Sequence, residues 1–449
     1  MWQPRYLNLA GGYFLDVCKL LQSQHSRNAL HHMRILFLAT LIYLSPGLSC
    51  FAEPNSSDNS PKYTTLAKPT SDHIVTSFAH PGILHTAADL ERMNRKVTAG
   101  EDPWKGGFEV FKRSNLARFD YKPRGPFESA GRSSLGFSLF GFSSAHSLAK
   151  GAINKITEVL YHTHEANDDS VAAYQNAIMW VVTGDERHAK KSAEILNAWS
   201  AGLKQITGND RILAAGSWGA LFANAAEILR STYPGWKAGD ISRCQVMLHN
   251  IFYPVMKDFG ADHDGNWDAY CIRGLMAIGV FCDDSSIFNS AVDFFRKGSG
   301  NGRLTHYVIN DTGQCEESGR DQAHTQLGLG LLCEACQIAW NQGLDLYSAE
   351  NNRLLKGFEY TAKYNLGNDV PFIPNANPTG NHRHQNISAD QRGKFRAVWE
   401  MPWNHYHQLC GLEMPYTELV LQKIRPEGAA FLADNPGYGT LLFSVEGKK

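Results

Sequence analysis

Neither sign of charge predominates in this sequence: 43 lysines and arginines stand against 44 aspartates and glutamates, a net charge of -1. A chain without a basic excess lacks the sequence-independent attraction to phosphate on which most nucleic-acid binders depend, so nucleic acid is not an expected partner. Cysteine is sparse and scattered; nine residues do not make a disulfide framework. Cys333 and Cys336 form a C-x-x-C with no second pair to complete a zinc site, and they read as buried thiols. His382 and His384 form an H-x-H without a third ligand, so no metal is expected. There is no G-x-S-x-G, no phosphate-cradling glycine loop and no H-E-x-x-H, which removes three large enzyme classes. Strand-like alternation is nearly absent before the last fifteen residues.

What is present is a globular composition, 43% hydrophobic and only 19% charged over 449 residues. Met33-Arg34 opens a ten-residue apolar run, Ile35 to Leu44, followed by small residues up to Cys50 and Ala52. That run is too short to span a bilayer and has the form of an export signal ending before Glu53, with translation starting at Met33. A periplasmic or secreted location is expected; lipid anchoring at Cys50 is the lesser alternative, because the leucine of Gly47-Leu48-Ser49 is one position out of place. Removing residues 1-52 takes away four basic and one acidic residue and leaves 39 against 43, so a polyanionic ligand would have to be held by a local cluster of cations. Residues 53-78 read as a flexible leader, and 79-449 as the folded domain.

Helical periodicity dominates that domain. Apolar residues at helical spacing run through 170-183, turn at Thr183-Gly184-Asp185, and resume through Ala189, Ala193, Leu196 and Trp199. The same hairpin returns at 211-231 with 238-257, at 267-282 with 286-296, and at 321-341 with 349-364; further helices are expected at 87-98 and 151-163. Helix pairs that each expose a wide apolar face must stack, and the irregular periods favour a closed ring over a solenoid. The expected fold is therefore all-α, an α/α toroid with a short irregular or β carboxy-terminal tail, and with long loops at 114-150, 258-266, 298-320 and 367-399 at the mouth of the ring.

Three segments carry candidate chemistry. In Glu316 to Gln326 a polar helix start precedes an apolar run, and Glu317, Arg320 and His324 at helical spacing project a cation and an imidazole together; a salt-bridged helix start is the structural alternative. In Gly265-Asn266-Trp267-Asp268 the amide of Asn266 stands at a helix N-terminus, suited to capping the helix or to donating to a ligand carboxylate. Arg392 to His407 packs cations, aromatic rings, an amide and a phenol into sixteen residues, a composition that suits an acidic sugar or, equally, an aromatic core helix with a basic flank. Tyr121-Lys122-Pro123-Arg124 and Arg132 lie in a loop and could extend such a surface with further subsites.

The strings His80-Pro81-Gly82-Ile83-Leu84-His85, Thr183-Gly184-Asp185, Gly265-Asn266-Trp267-Asp268, Glu317-Ser318-Gly319-Arg320-Asp321-Gln322 and Arg425-Pro426-Glu427-Gly428 resemble the alginate lyase superfamily of polysaccharide lyases over residues 79-444. The resemblance, closest to the branch acting on alginate and β-1,4-glucuronan, implies a secreted α/α-toroid enzyme that cleaves a polyuronate by β-elimination without a cofactor. It matches Asn266 to the family's carboxylate-neutralising asparagine. The sequence departs from the better-known pattern at Trp267, where a histidine follows that asparagine, and at His324, where a catalytic tyrosine stands. By this reading His324 is a base or a neutralising donor, Arg320 or Arg396 holds the carboxylate, and Tyr406 beside His405 protonates the leaving oxygen. Trp267, Glu317, Gln322, Trp399, Lys122 and Arg124 complete the substrate-binding candidates. A toroid glycosidase using two of Glu316, Glu317, Asp268 and Asp321, and a non-catalytic glycan-binding surface protein, are the competing expectations.

Overall fold

The structure, a computed structural model, describes residues 70, 74-133, 159-258, 265-376, 380 and 383-446. The export signal, most of the leader, most of the helix expected at 151-163 and His382 lie outside the described residues.

Eleven helices of eight residues or more stand among the described residues: α1 (Ala87–Thr98), α2 (Trp104–Phe111), α3 (Thr163–Thr183), α4 (Glu186–Gly202), α5 (Arg211–Thr232), α6 (Ala238–Met247), α7 (Trp267–Phe281), α8 (Ser285–Lys297), α9 (Gln322–Asn341), α10 (Ala349–Asn365) and α11 (Pro415–Ile424), nine of them where helices were expected and two, α2 and α11, where none was. Local chemistry sets their ends. Thr86 and Asp89 form a reciprocal capping box at the start of α1. Gly184, in the left-handed region, stops α3, and the carboxylate of Asp185 then caps α4 by accepting from the Arg187 N–H. Asp284 does the same for α8, accepting from Ser286 and Ile287.

The hairpins form two layers. Helices α3, α5, α7 and α9 pack side by side in that order, and α4, α8 and α10 each lie against the helix that precedes them. The inner helices are largely buried; every residue of α7 after Trp267 is buried. The outer ones bury a single stripe, as α8 does through Ile287, Phe288, Ala291, Val292 and Phe295. Each large apolar side chain moved into the core contributes roughly 1.5–3 kcal/mol, so the inner layer supplies most of the folding drive. Helix α5 has the length and apolar character of a membrane span, but it is buried among the other inner helices, as a core helix is. It meets α7 backbone to backbone at Gly216: a Cβ there would lie 2.7 Å from the Tyr270 carbonyl oxygen, so a larger residue would displace α7 and the site that it starts.

The amino-terminal strap ties the layers together. Asn341 on α9 donates to the Ile83 carbonyl, Asn224 on α5 accepts from the Leu84 N–H, and His85 meets the Tyr174 hydroxyl of α3 at 2.6 Å. Of the two forms expected for the carboxy-terminal tail, irregular or β, it takes the irregular one, with a short helical turn, Gly439–Leu442, packed on α2. The strands that do occur among the described residues are two small pairs, Ser129–Gly131 parallel to Gln205–Thr207 and Asn375–Ala376 antiparallel to Arg383–His384.

Candidate active site

The start of α7 and the start of α9 open onto one cleft of about 640 Å³. Its walls include Asn266, Trp267 and Tyr270 from α7, Arg320 and His324 around the start of α9, and His164 and Asn167 from α3. Arg132 and the segment Lys394, Phe395 and Arg396 add further walls, and Phe431, Leu432 and Asp434 come from the tail.

Asn266 precedes α7 but does not cap it with its side chain, so the capping alternative fails. Its Nδ2 instead donates to the His324 carbonyl at 3.2 Å, and its Oδ1 lies 3.1 Å from the hydroxyl of the buried Tyr307. One amide proton of Nδ2 is left over for a ligand. The approach requires the glycine before it: Gly265 has φ +65°, and a Cβ there would lie 1.9 Å from Glu317 Oε1.

Helix α9 begins later than the i, i+3, i+7 spacing implied. Glu316–Gly319 is a separate 3₁₀ turn, Asp321 is extended at φ -168°, and regular α-helix starts at Gln322. Glu317 and Arg320 therefore do not share a helix face with His324, although the chain still brings them together. Arg320 Nη1 is 3.3 Å from Glu317 Oε1, and its Nη2 donates to His324 Nε2 at 3.1 Å. Glu317 is buried, and that burial raises its carboxyl above the ordinary range despite the neighbouring Arg320. It holds Arg320 and does not line the cleft.

Asp321, expected only as a possible glycosidase carboxylate, is instead the neighbour that orients His324. Its Oδ1 caps α9 by accepting from the His324 N–H, and its Oδ2 lies 2.6 Å from His324 Nδ1. Burial would raise this carboxyl, yet the bonds from the His324 ring and backbone hold it below its ordinary value. A carboxylate behind Nδ1 and a guanidinium donor at Nε2 together define a ring that carries its proton on Nδ1 and whose Nε2 lone pair accepts from Arg320 at the cleft wall. An Asp three residues before the histidine was the available signal.

The cleft is cationic. Among the described residues, Arg132 and Lys394 line it without an ion pair or a side-chain hydrogen bond. Arg396 pairs with Asp434 through Nη2, and Asp434 also accepts from the Tyr270 hydroxyl. Burial and that carboxylate push the Tyr270 phenol well above its ordinary pKa. Arg273, buried beneath, donates to the Asp434 carbonyl at 2.6 Å and pairs with Glu334 at 3.0 Å, fixing the tail against α7 and α9. Arg132 was expected as a subsite residue and does line the cleft, whereas His164, Tyr270 and Asp434 come from distant segments and no local motif marks them.

Several expected site residues lie elsewhere. Tyr406 is fully buried, with its hydroxyl donating to the Tyr347 carbonyl at 2.7 Å, and burial raises its pKa well beyond the ordinary value; it cannot protonate a leaving group in the cleft. His405 stacks on Tyr347 at 3.5 Å between ring centres and borders a second, smaller cavity; burial lowers its pKa to about 4. Trp399 is a core side chain with no exposed surface. Gln322 is buried and spends its amide on the Ser318 and Ser388 carbonyls and on Asn365. Arg124 pairs with Asp168 and Glu165 on α3, Lys122 is exposed in the same loop, and neither lines the cleft. The carboxylate pair of a glycosidase is missing from the expected positions too: Glu316, Glu317 and Asp268 are buried, and Asp321 is committed to His324.

The profile of the alginate lyase family matches residues 149-372 of the chain. No curated protein matches it. Among solved structures, an alginate lyase from Bacteroides ovatus superposes with a TM-score of 0.56 at 12% identity, covering 82% of this chain and all of the other. Alginate lyase A1-III from Sphingomonas species A1 gives 0.57 at 14%, covering 80% and 95%. A variant of the same enzyme complexed with a tetrasaccharide gives 0.55 at 15%, covering 80% and 94%. At such identities the superpositions establish the fold, the α/α toroid.

Proposed function

Since the chain belongs to the alginate lyase superfamily and is a polysaccharide lyase, we propose that it cleaves a linear polyuronate, alginate or glucuronan, by β-elimination, with Asn266, Arg320 and His324 acting on one uronate. The observation that carries this reading is the convergence of that amide, guanidinium and imidazole on a cleft whose Arg132 and Lys394 have no partner among the described residues. Cations without internal partners suit a polymer that brings one carboxylate per sugar, and the tetrasaccharide held by the A1-III variant agrees with a glycan of several units.

In this scheme the uronate carboxylate takes hydrogen bonds from Asn266 Nδ2 and Arg320, which stabilises the negative charge that develops when C5 loses its proton. Binding of the carboxylate draws Arg320 from His324 Nε2 and frees that lone pair to accept the C5 proton, while Asp321 stabilises the imidazolium that forms. The electron pair of the broken C5–H bond becomes the C4=C5 double bond as the C4–O bond breaks. In mannuronate and glucuronate the C5 hydrogen and the C4 oxygen lie on one face of the ring, so the imidazolium can return its proton to the departing oxygen. His324 thus takes over the acid role first assigned to Tyr406. The apolar run after Met33 supports export, which amino-terminal sequencing of the mature protein tests.

Incubation with polymannuronate, polyguluronate and glucuronan decides the chemistry. A lyase produces the ultraviolet absorbance of an unsaturated uronate in step with chain shortening. New reducing ends without that absorbance would sink the elimination, and no shortening of any of the three would sink the substrate class.

A further inference from the structure

Apolar side chains are rarely left in water at the mouth of a charged cleft, yet Phe431 is 66% exposed and its neighbour Leu432 41% exposed, both on the cleft wall. They do not sit on a loose tip. Ser217 donates to the Ala433 carbonyl at 2.7 Å, Asp434 is held by Tyr270 and Arg396, and the Tyr438 N–H closes the neck of the loop on the Gly428 carbonyl at 2.7 Å. Leu432 is left-handed at φ 51°, a conformation that is strained for a leucine and persists only where its surroundings impose it. The Arg396 guanidinium stands 5.7 Å from the centre of the Phe431 ring, and among the described residues only its Nη2 is hydrogen-bonded, leaving its other donors for a ligand.

An exposed aromatic ring beside a guanidinium with spare donors matches one unit of a polyuronate, which has an apolar face of C–H bonds and a carboxylate at its edge. The cleft, at about 640 Å³, has room for more than the reacting sugar. Building on the polyuronate reading above, we propose that Phe431 is a substrate-positioning platform on which a uronate ring of the bound chain stacks, with Arg396 receiving that unit's carboxylate. Phe431 touches substrate without taking part in proton transfer. Its loss therefore falls on KM, because binding equal in the ground and transition states affects KM and not kcat.

The test compares the wild-type enzyme with Phe431→Ala, Phe431→Leu and Phe431→Trp on whichever of polymannuronate and glucuronan the wild type cleaves, backed by calorimetric titration of a uronate hexasaccharide into the same substitutions made in a His324→Ala background. Expected are a roughly tenfold rise in KM and in Kd for Phe431→Ala, little recovery with leucine, and values near the wild type with tryptophan. KM and Kd of Phe431→Ala within twofold of wild type would overturn the platform, as would leucine serving as well as tryptophan, which would reduce the residue to apolar filling. If the unaltered enzyme neither cleaves nor binds a polyuronate, the substrate reading itself fails and the platform with it.

Discussion

Two regions of this molecule carry similar side chains to opposite ends. Around the starts of α7 and α9, an asparagine, an arginine and a histidine line the wall of an open cleft, with an aspartate behind the imidazole. Around Trp399 to His407, an asparagine, two histidines and a tyrosine are equally concentrated, but Asn404, His405 and Tyr406 are buried, and the groups they face are structural: the Glu400 carbonyl, the Tyr347 ring and the Tyr347 carbonyl. Residue type alone does not separate a site from a core. What separates them is whether the side chains line the open cleft or are packed out of reach of a ligand.

Four measurements can break or sharpen that contrast. The largest effect is expected in the cleft: His324→Ala should lower kcat on the preferred polyuronate by 10²–10⁴-fold, in the range of a lost general base, with thermal stability little changed. Turnover within tenfold of wild type would move the base elsewhere. Next, Arg132→Ala and Lys394→Ala should each raise KM roughly tenfold and weaken its dependence on salt, because these cations meet the polymer and nothing else among the described residues. Unchanged KM and salt dependence would show that the polymer takes another path.

In the buried region the sign of the expectation reverses. Tyr406→Phe should leave kcat and KM as they are and cost about 1 kcal/mol of stability, the contribution of one buried hydrogen bond. A large loss of kcat in a protein of normal melting temperature would restore Tyr406 to the chemistry. The remaining expectation concerns Glu427, which accepts from the Trp399 and Glu400 N–H groups close to the Glu400 carboxylate. Burial and that second carboxylate raise its pKa from an ordinary 4.5 to about 8. The unfolded chain thus releases this proton at lower pH than the folded one, so the stabilisation it gives is complete below about pH 4.5 and is lost as pH rises towards 8. Melting curves across that window should fall by a few degrees in the wild type and flatten in Glu427→Gln; equal slopes would remove Glu427 from the pH dependence.

Much of this was legible beforehand, for identifiable reasons. The helical hairpins announced themselves through apolar periodicity and through turns such as Thr183-Gly184-Asp185, where a left-handed glycine and a capping aspartate do locally what the sequence says they do. Asn266 and His324 stood out because each is a polar residue at the threshold of an apolar helix. Tyr270 and Asp434 did not, because a cleft in a ring of helices is assembled from segments distant in sequence, and Tyr270 lies within the largely apolar run of α7. Tyr406 was misplaced for a related reason. It lies in a π-helical turn, Trp403–Leu409, whose period differs from that of an α-helix, so spacing gave no guide to which side faces the core.

The most direct test is the crystal structure of the His324→Ala variant soaked with a tetrasaccharide of the uronate that the enzyme cleaves. One carboxylate should lie within hydrogen-bonding reach of Asn266 Nδ2 and Arg320, with the C5 hydrogen of that sugar pointing at the space the imidazole occupied. A saccharide seated with no carboxylate at Asn266, or lodged in the smaller cavity beside His405, would contradict the shared role of Asn266, Arg320 and His324.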